Sequence, residues 1–325
     1  MGSRLTRRDF LERATCAGAL LAAGARADAL QRSGRAPGQM YVSLNGSVAK
    51  GVGWPDLARL AARVGFQGVD WSFGPAKTAG VDATKALLSD LRITPSIVNL
   101  PMARPLPFQG DQAAFDQALV QLSEDAAFTA AIGCDRMMVV LSPTGPLPKD
   151  EWRKIVRDRI GAISKVLQRS NVRLGMEFLG VQSFREGRAG GPPGNPFIWT
   201  LPDTVALAAD CGENIGVILD VWHWHHSGGS TADILNTPKS RIVHVHVSDA
   251  RAQAPADVRD NQRLMPGEGV IDLTGFFQSL KKIGYDGGVS PEPLGRVPAE
   301  MSAEDGARLA LDTTRAAMRK AGVEI

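Results

Sequence analysis

The chain has 325 residues, of which 44% are apolar and 22% are charged, so it can form one large globular domain or two small ones. This composition excludes a disordered or fibrous protein. Residues 1–27 contain five arginines and two acidic residues, and they account for the whole formal charge of +3. The neutral remainder gives no indication of a nucleic-acid partner, which would require lysines and arginines clustered on one face.

The N-terminus has the pattern of an export signal. Thr6-Arg7-Arg8-Asp9-Phe10-Leu11 is a twin-arginine motif, a mostly apolar run follows, and Ala25-Arg26-Ala27 has the small residues of a cleavage site. The alternative is an amphipathic first helix. We expect residues 1–27 to be a twin-arginine signal and residues 28–325 to form one periplasmic or extracellular domain. The apolar run is short for a membrane span, so we expect none in the mature chain, although an uncleaved anchor is an alternative.

Two of the three cysteines, Cys134 and Cys211, lie outside the predicted signal. A single disulfide is compatible with export. Because Cys134 precedes a predicted strand and Cys211 ends a predicted helix, we favour two separate buried thiols.

From Gln39 onward, short β-rich runs alternate with longer amphipathic stretches, which is the pattern of repeated βα units. The predicted strands are Met40 to Leu44, Gly68 to Ser72, Thr94 to Asn99, Arg136 to Leu141, Arg173 to Phe178, Gly216 to Asp220, Ile242 to Val247 and Gly288 to Ser290. The predicted helices lie near Pro55 to Val64, Ala83 to Leu91, Asp111 to Ala131, Lys149 to Gln168, Asp203 to Ala209, Ala232 to Leu235, Leu273 to Ile283 and Ala303 to Ala321.

Eight such units predict a single-domain α/β fold, the (β/α)₈ TIM barrel, rather than an open doubly wound sheet. An open sheet of this kind usually carries a glycine-rich phosphate loop after a strand, and the sequence contains no such motif. Two long insertions, residues 180–200 and 248–270, follow the fifth and seventh strands. Loops after barrel strands lie at the catalytic mouth, so we expect both insertions to cover a substrate.

All five histidines lie between His223 and His246, and four potential ligands stand at consecutive strand ends. These four residues are Glu177, Asp220, His246 and Glu292. Carboxylates within apolar strand ends are costly to bury unless they are paired or bind a cation. Each residue alone has an ordinary alternative as a salt-bridge partner, a helix cap or a hydrogen-bonded core histidine. Together they predict a site for one divalent ion: Mn²⁺, Mg²⁺, Co²⁺ or Zn²⁺.

From about Met40 to the C-terminus, the chain resembles the xylose-isomerase-like barrel superfamily of sugar (phosphate) isomerases and epimerases. The phrases that carry the resemblance are Gly175-Met176-Glu177-Phe178, Leu219-Asp220-Val221-Trp222-His223, His244-Val245-His246-Val247-Ser248-Asp249, Pro266-Gly267-Glu268-Gly269-Val270-Ile271-Asp272 and Ser290-Pro291-Glu292-Pro293. The resemblance implies the same four metal ligands. It also implies that Glu177 and Glu292 act as acid and base on opposite faces of the substrate.

The resemblance further implies that His223 and Arg263 bind the substrate. The segment before Arg263 is longer than in the epimerases, which leaves Arg251 and Arg259 as rivals. Trp224 and Trp222 are candidates for the floor of a sugar pocket, since sugar C–H faces stack on aromatic rings, although Trp222 could equally be a packing residue. His225 and His226 could support the ligands or simply be solvated.

These features predict a sugar isomerase or epimerase that acts on a small carbohydrate and transfers a proton through a metal-stabilised enediolate. A homo-oligomer is a possible assembly. One alternative is a metal-dependent lyase or hydratase on a 3-keto-glycoside, or a dehydratase of the 3-dehydroshikimate type, and export favours it because sugar phosphates are cytoplasmic. Another alternative is a non-catalytic sugar-binding barrel, against which the complete ligand set argues. Multi-metal phosphodiester cleavage would need more ligands and a basic face.

Overall fold

The computed structural model describes residues 38–186 and 194–325, in which eight parallel strands form a closed barrel. The strands are β1 Tyr41–Leu44, β2 Gly68–Asp70, β3 Thr94–Asn99, β4 Arg136–Leu141, β5 Arg173–Phe178, β6 Ile215–Asp220, β7 Ile242–Val247 and β8 Gly288–Pro291. Each strand pairs with the next along the chain, and β8 closes the barrel by pairing Gly288 with Tyr41 of β1. The predicted single TIM barrel is confirmed. The predicted export signal lies outside the described residues.

Helices surround the barrel. They are α1 Asp56–Val64, α2 Phe73–Ala79, α3 Val81–Leu91, α4 Gln112–Ala131, α5 Lys149–Gln168, α6 Gln182–Arg185, α7 Leu201–Cys211, α8 Val221–His226, α9 Thr231–Leu235, α10 Leu273–Lys282 and α11 Ala303–Lys320. Short 3₁₀ turns occupy Gly46–Val48, Lys239–Arg241, Pro255–Asp257 and Asp260–Gln262. Gly65 ends α1 with φ 99°, a left-handed conformation that lets the chain turn directly towards β2.

Two helices differ most from the predicted pattern. The sequence pattern predicts no helix between β2 and α3, where α2 lies, and none directly after Asp220, where α8 lies. Instead α8 follows β6 without an intervening residue. The Asp220 carboxylate accepts a hydrogen bond from the Trp222 backbone N–H at 2.8 Å and so caps this helix.

The apolar side chains form two separate clusters. The larger one packs the helices onto the outside of the barrel. The smaller one contains Ile97, Ile218 and Val243, with Met138 against it. Because β3 and β6 are not neighbours in the sheet, their side chains meet only across the barrel interior. The interior is therefore filled with side chains below the mouth, as TIM barrels require.

The two predicted insertions lie at the mouth and are tied to the barrel. Thr144–Gly145 and Asn195–Pro196 form a short antiparallel ribbon that joins the segment after β4 to the first insertion. In the second insertion, Asp249 and Leu264 form an antiparallel bridge. The buried Asp249 carboxylate also accepts four backbone N–H bonds of 2.8–3.0 Å, from residues 250, 267, 269 and 271.

Cys134 and Cys211 are both buried and free, so the favoured alternative of two separate thiols is confirmed. Burial raises the pKa of each thiol to about 12, which keeps both protonated and unreactive. Within the part of the chain that the structure describes, no helix is long and apolar enough to span a bilayer.

Candidate metal centre

The four predicted metal ligands converge at the C-terminal end of the barrel. Glu177 lies on β5, Asp220 ends β6, His246 lies on β7 and Glu292 immediately follows β8. One donor atom from each residue lies within 4.8 Å of the corresponding atoms of the other three. Strands order these side chains because their carboxyl ends meet at one rim of a parallel barrel.

His246 stands between the two glutamates. Its Nδ1 atom lies 2.8 Å from Oε1 of Glu177 and 3.5 Å from Oε2 of Glu292. Its other ring nitrogen, Nε2, is buried and has no hydrogen-bond partner among the described residues. The ring therefore turns Nδ1 towards the carboxylates.

Asp220 is held on both sides. Its Oδ1 atom accepts the N-terminal N–H bond of α8, and its Oδ2 atom lies 2.7 Å from Nη1 of Arg263. The same Nη1 atom lies 3.0 Å from Oε2 of Glu292. Asp260 accepts two further bonds from the guanidinium, at 2.7 and 3.2 Å. Arg263 is thus a buried cation that links two of the candidate ligands.

Burial and charge shift the pKa values in the cluster in different directions. Burial raises the pKa of Glu292 to about 7, although His246 and Arg263 oppose the shift. Burial alone would lower the pKa of His246, but the Glu292 and Glu177 carboxylates raise it to about 10. For Asp220, burial is opposed by Arg263 and His223, and the net effect lowers its pKa. The cluster therefore stabilises positive charge at the Nδ1 position of His246.

The donor set fits a divalent ion. Ligand atoms about 2.0–2.2 Å from a shared ion lie at most roughly 4.4 Å apart, close to the separation of these four groups. Three carboxylates and one imidazole form an oxygen-rich set suited to Mn²⁺, Mg²⁺, Co²⁺ or Zn²⁺. The four predicted ligands therefore lie close enough together to bind one ion after only small movements of their side chains.

The structure brings His223 and Arg263 together beside the ligands. His223 is buried, and its Nε2 atom lies 3.3 Å from Nη2 of Arg263. The rival arginines are exposed and bond to backbone oxygens instead, Arg251 to Gln262 and Arg259 to Ala256 and Val258.

The structure does not bring Trp224 into the cluster. Its ring packs 5.5 Å from Phe276 of α10, and its indole N–H donates to the Ser230 carbonyl. Trp222 is the tryptophan beside the site, with the Arg263 guanidinium 5.5 Å from its ring centroid. Trp222 and Trp224 face different surroundings because both lie in α8, which begins at Val221. Residues two apart point to different sides of a helix, whereas in an extended segment they would point to the same side.

His225 and His226 lie farther along α8, and their rings pack against each other at 5.0 Å. Neither belongs to a group of converging metal-ligand atoms in the described part of the chain. The structure therefore separates them from the candidate ligands.

Sequence reasoning missed two acidic residues, Asp260 and Asp70. Asp260 lies three residues before Arg263 and holds its guanidinium, a spacing that could have indicated the pair. Asp70 ends β2 as Asp220 ends β6, and its carboxylate lies with ring nitrogens of His244 and His246 in a second group within 4.8 Å. The strand-end rule that selected the other carboxylates could have selected Asp70.

The inosose isomerase of Halalkalibacterium halodurans is 25% identical to this chain over 205 residues, which cover 63% of this chain and 69% of that protein. Among solved structures, a xylose isomerase domain protein from Alicyclobacillus acidocaldarius has a TM-score of 0.78 at 25% identity, covering 87% of this chain and 99% of that one. A structure of the IOLI protein with a bound zinc atom has a TM-score of 0.72 at 19% identity, covering 86% and 99%. At 19% identity, the similarity to the IOLI structure shows only that the two proteins share a fold.

The family described as xylose isomerase-like TIM barrel matches residues 58–317, from the first helix of the barrel to the last. The matched region contains all four candidate ligands together with His223 and Arg263. The chain belongs to the xylose isomerase-like TIM barrel family.

Proposed function

We propose that this chain is a metal-dependent isomerase or epimerase of a small carbohydrate. The observation that carries the proposal is the pair Glu177 and Glu292, which flank Nδ1 of His246 at the mouth of the barrel. An inosose isomerase among the relatives supports a polyhydroxylated carbonyl compound as the class of substrate.

Glu177, Asp220, His246 and Glu292 would hold the ion. A divalent ion there would supply Lewis-acid polarisation of the substrate carbonyl, which acidifies the neighbouring C–H. A zinc atom in the IOLI protein supports a divalent ion of this kind.

The two glutamates are better placed than Asp220 to move a proton. Asp220 is fully buried, and both its oxygens already accept bonds, from Trp222 and Arg263. The Glu177 and Glu292 side chains retain 8% and 18% exposure, so a bound substrate can reach them. One glutamate would remove the C–H proton and the other would return a proton, to the adjacent carbon for isomerisation or to the opposite face for epimerisation.

His223 and Arg263 would bind substrate oxygens. Both are buried beside the ligands. The Nδ1 atom of His223 has no hydrogen-bond partner among the described residues, whereas Arg263 would exchange one of its present bonds for a substrate oxygen. Trp222 is the tryptophan nearer the site, and at 1% exposure its ring would support the Arg263 guanidinium from behind.

The test is to incubate the metal-loaded protein in D₂O with a panel of ketoses, aldoses, inososes and 3-keto-glycosides and to follow products by NMR. We expect deuterium at the carbon next to the carbonyl, because the removed proton exchanges with solvent. Glu177→Gln and Glu292→Gln should each lower turnover by roughly 10²-fold or more, since the amide cannot accept the proton. Glu268→Gln, which alters an exposed glutamate paired with Arg296, is the matched control and should keep turnover near that of wild type.

Product without deuterium would indicate a hydride shift and would contradict the roles of the glutamates. Release of a second molecule would identify a lyase or hydratase instead. Binding of a sugar without any turnover across the panel would favour the non-catalytic barrel.

A further inference from the structure

A second cluster of polar side chains crosses the barrel interior beside the metal centre. Asp70 of β2 reaches His244 and His246 of β7, although these two strands are not neighbours in the sheet. The three donor groups lie within 4.8 Å of one another. None of the roles assigned above uses Asp70.

Hydrogen bonds hold the Asp70 carboxylate in place. Its Oδ1 atom accepts the hydroxyl protons of Ser43 at 2.7 Å and Ser290 at 2.9 Å. Its Oδ2 atom accepts from the Asn45 amide at 3.1 Å. The side chain is 13% exposed, so the carboxylate sits at the edge of the mouth with a fixed orientation.

These bonds determine which nitrogen of His244 carries the proton. Ser290 donates its single hydroxyl proton to Asp70, so the contact of 2.7 Å between Ser290 Oγ and His244 Nε2 requires the imidazole to donate. Nε2 is the ring nitrogen of His244 that faces Asp70, at 3.9 Å, and once protonated it has no lone pair for a metal. Asp70, His244 and His246 therefore do not form a second metal site while this network is intact.

His246 has the complementary requirement. A neutral imidazole that binds an ion through Nδ1 must carry its proton on Nε2. In this chain Nε2 is buried without a hydrogen-bond partner among the described residues. Imidazole ligands of metals almost always donate their second N–H to a carboxylate, a carbonyl or water, which fixes the tautomer and the ring orientation.

We propose that Asp70, which lies within 4.8 Å of His246 but makes no hydrogen bond to it in the structure, is the positioning residue that accepts the Nε2 proton of His246 once an ion is bound, and thereby keeps Nδ1 directed at the metal. Asp70 acts through His246 and does not itself touch the ion or the substrate. This inference rests on the proposed function only in taking His246 as a ligand.

The test measures the affinity of the purified protein for Co²⁺ by chelator competition in wild type, Asp70→Ala, Asp70→Asn and Ser290→Ala. We expect Asp70→Ala to weaken binding about 10–100-fold, as loss of such partners typically does. Asp70→Asn and Ser290→Ala should cause smaller losses, because an acceptor oxygen or a less rigid carboxylate remains. Asp125→Asn is the matched control, because Asp125 is also a largely enclosed aspartate, with 4% of its side chain exposed, but it pairs with Lys77 on the outer helices.

Imidazole NMR of the Zn²⁺-loaded protein provides a readout that a loss of stability alone would not change. A slowly exchanging Nε2–H signal from His246 should be present in wild type and Asp125→Asn and absent in Asp70→Ala. Thermal unfolding of the metal-free variants checks that each is folded. If Asp70→Ala does not fold, the same comparison is made with Asp70→Asn and Ser290→Ala.

Unchanged Co²⁺ affinity in the folded Asp70 variants, with one ion per wild-type chain, would overturn the inference and leave the metal centre intact. Two ions per wild-type chain, with one lost in Asp70→Ala, would make Asp70 a ligand and also overturn it. Wild-type protein that binds no ion would overturn the metal centre of the proposed function, which is a distinct result.

Discussion

The five histidines are close in sequence, yet their surroundings differ. His246 contacts two carboxylates through one nitrogen, His223 contacts an arginine, and His244 contacts a serine. His225 and His226 pack against each other on α8. A histidine becomes a candidate ligand through its neighbours on adjacent strands, which proximity in the sequence does not specify.

This difference predicts unequal effects of two substitutions. His246→Ala removes the only imidazole of the four-residue group and should weaken binding of a divalent ion by about 100-fold or more, exceeding the usual effect of losing an outer partner. His225→Ala should leave the affinity within about twofold. Elemental analysis and competition titration measure both variants, and equal losses would show that the wrong histidine has been assigned.

Elements with a strong periodic pattern were predictable, and elements fixed by tertiary contacts were not. Short apolar runs located the eight strands to within about two residues. Strands of a parallel barrel are buried on both faces, so nearly all of their residues are apolar and the runs are easy to recognise. The helix α8 was missed because aromatic and imidazole side chains have weak helix propensity, and its start depends on capping by Asp220. The network of Asp70 was missed because it joins β1, β2, β7 and β8 across the interior.

The second insertion illustrates an element organised by one side chain. The Asp249 carboxylate binds four backbone N–H groups, and its own backbone pairs with that of Leu264, the neighbour of Arg263. A long insertion with few regular backbone bonds thus acquires a fixed path past the metal centre.

Asp249→Ala should therefore destabilise the folded protein. Two of the four bonds, to the N–H groups of Ala250 and Ile271, are buried. Each buried N–H left without an acceptor costs about 1–3 kcal/mol, so we expect a loss of about 2 kcal/mol or more in the free energy of unfolding in urea. Protection of the amides of Gly267, Gly269 and Ile271 from hydrogen exchange should fall as well. Asp257→Ala, in an exposed part of the same insertion, is the control and should change neither measurement; a similar loss there would contradict the role of Asp249.

At the scale of the whole molecule, the predicted export signal and the barrel are separate parts of the sequence. The predicted signal spans residues 1–27, and β1 begins at Tyr41. The family match begins at residue 58, well after the twin-arginine motif. Changes to the motif should therefore affect transport without affecting the barrel.

We predict that replacing Arg7 and Arg8 together with lysine leaves the protein in the cytoplasm, because the arginine pair is what the pathway reads. Cell fractionation followed by immunoblotting measures the distribution. The double variant should retain the metal affinity and unfolding temperature of the wild-type chain. Unchanged fractionation would refute the predicted signal.

Closure of the barrel through β1 and β8 also sets the timing of folding during synthesis. Tyr41 finds its partner strand only when Gly288 has been made. The four candidate ligands come from β5 to the segment after β8, so the metal centre is completed at the same late stage. The closed barrel and the ion site are thus completed together, and a chain in which β8 and Glu292 have not yet been made can form neither.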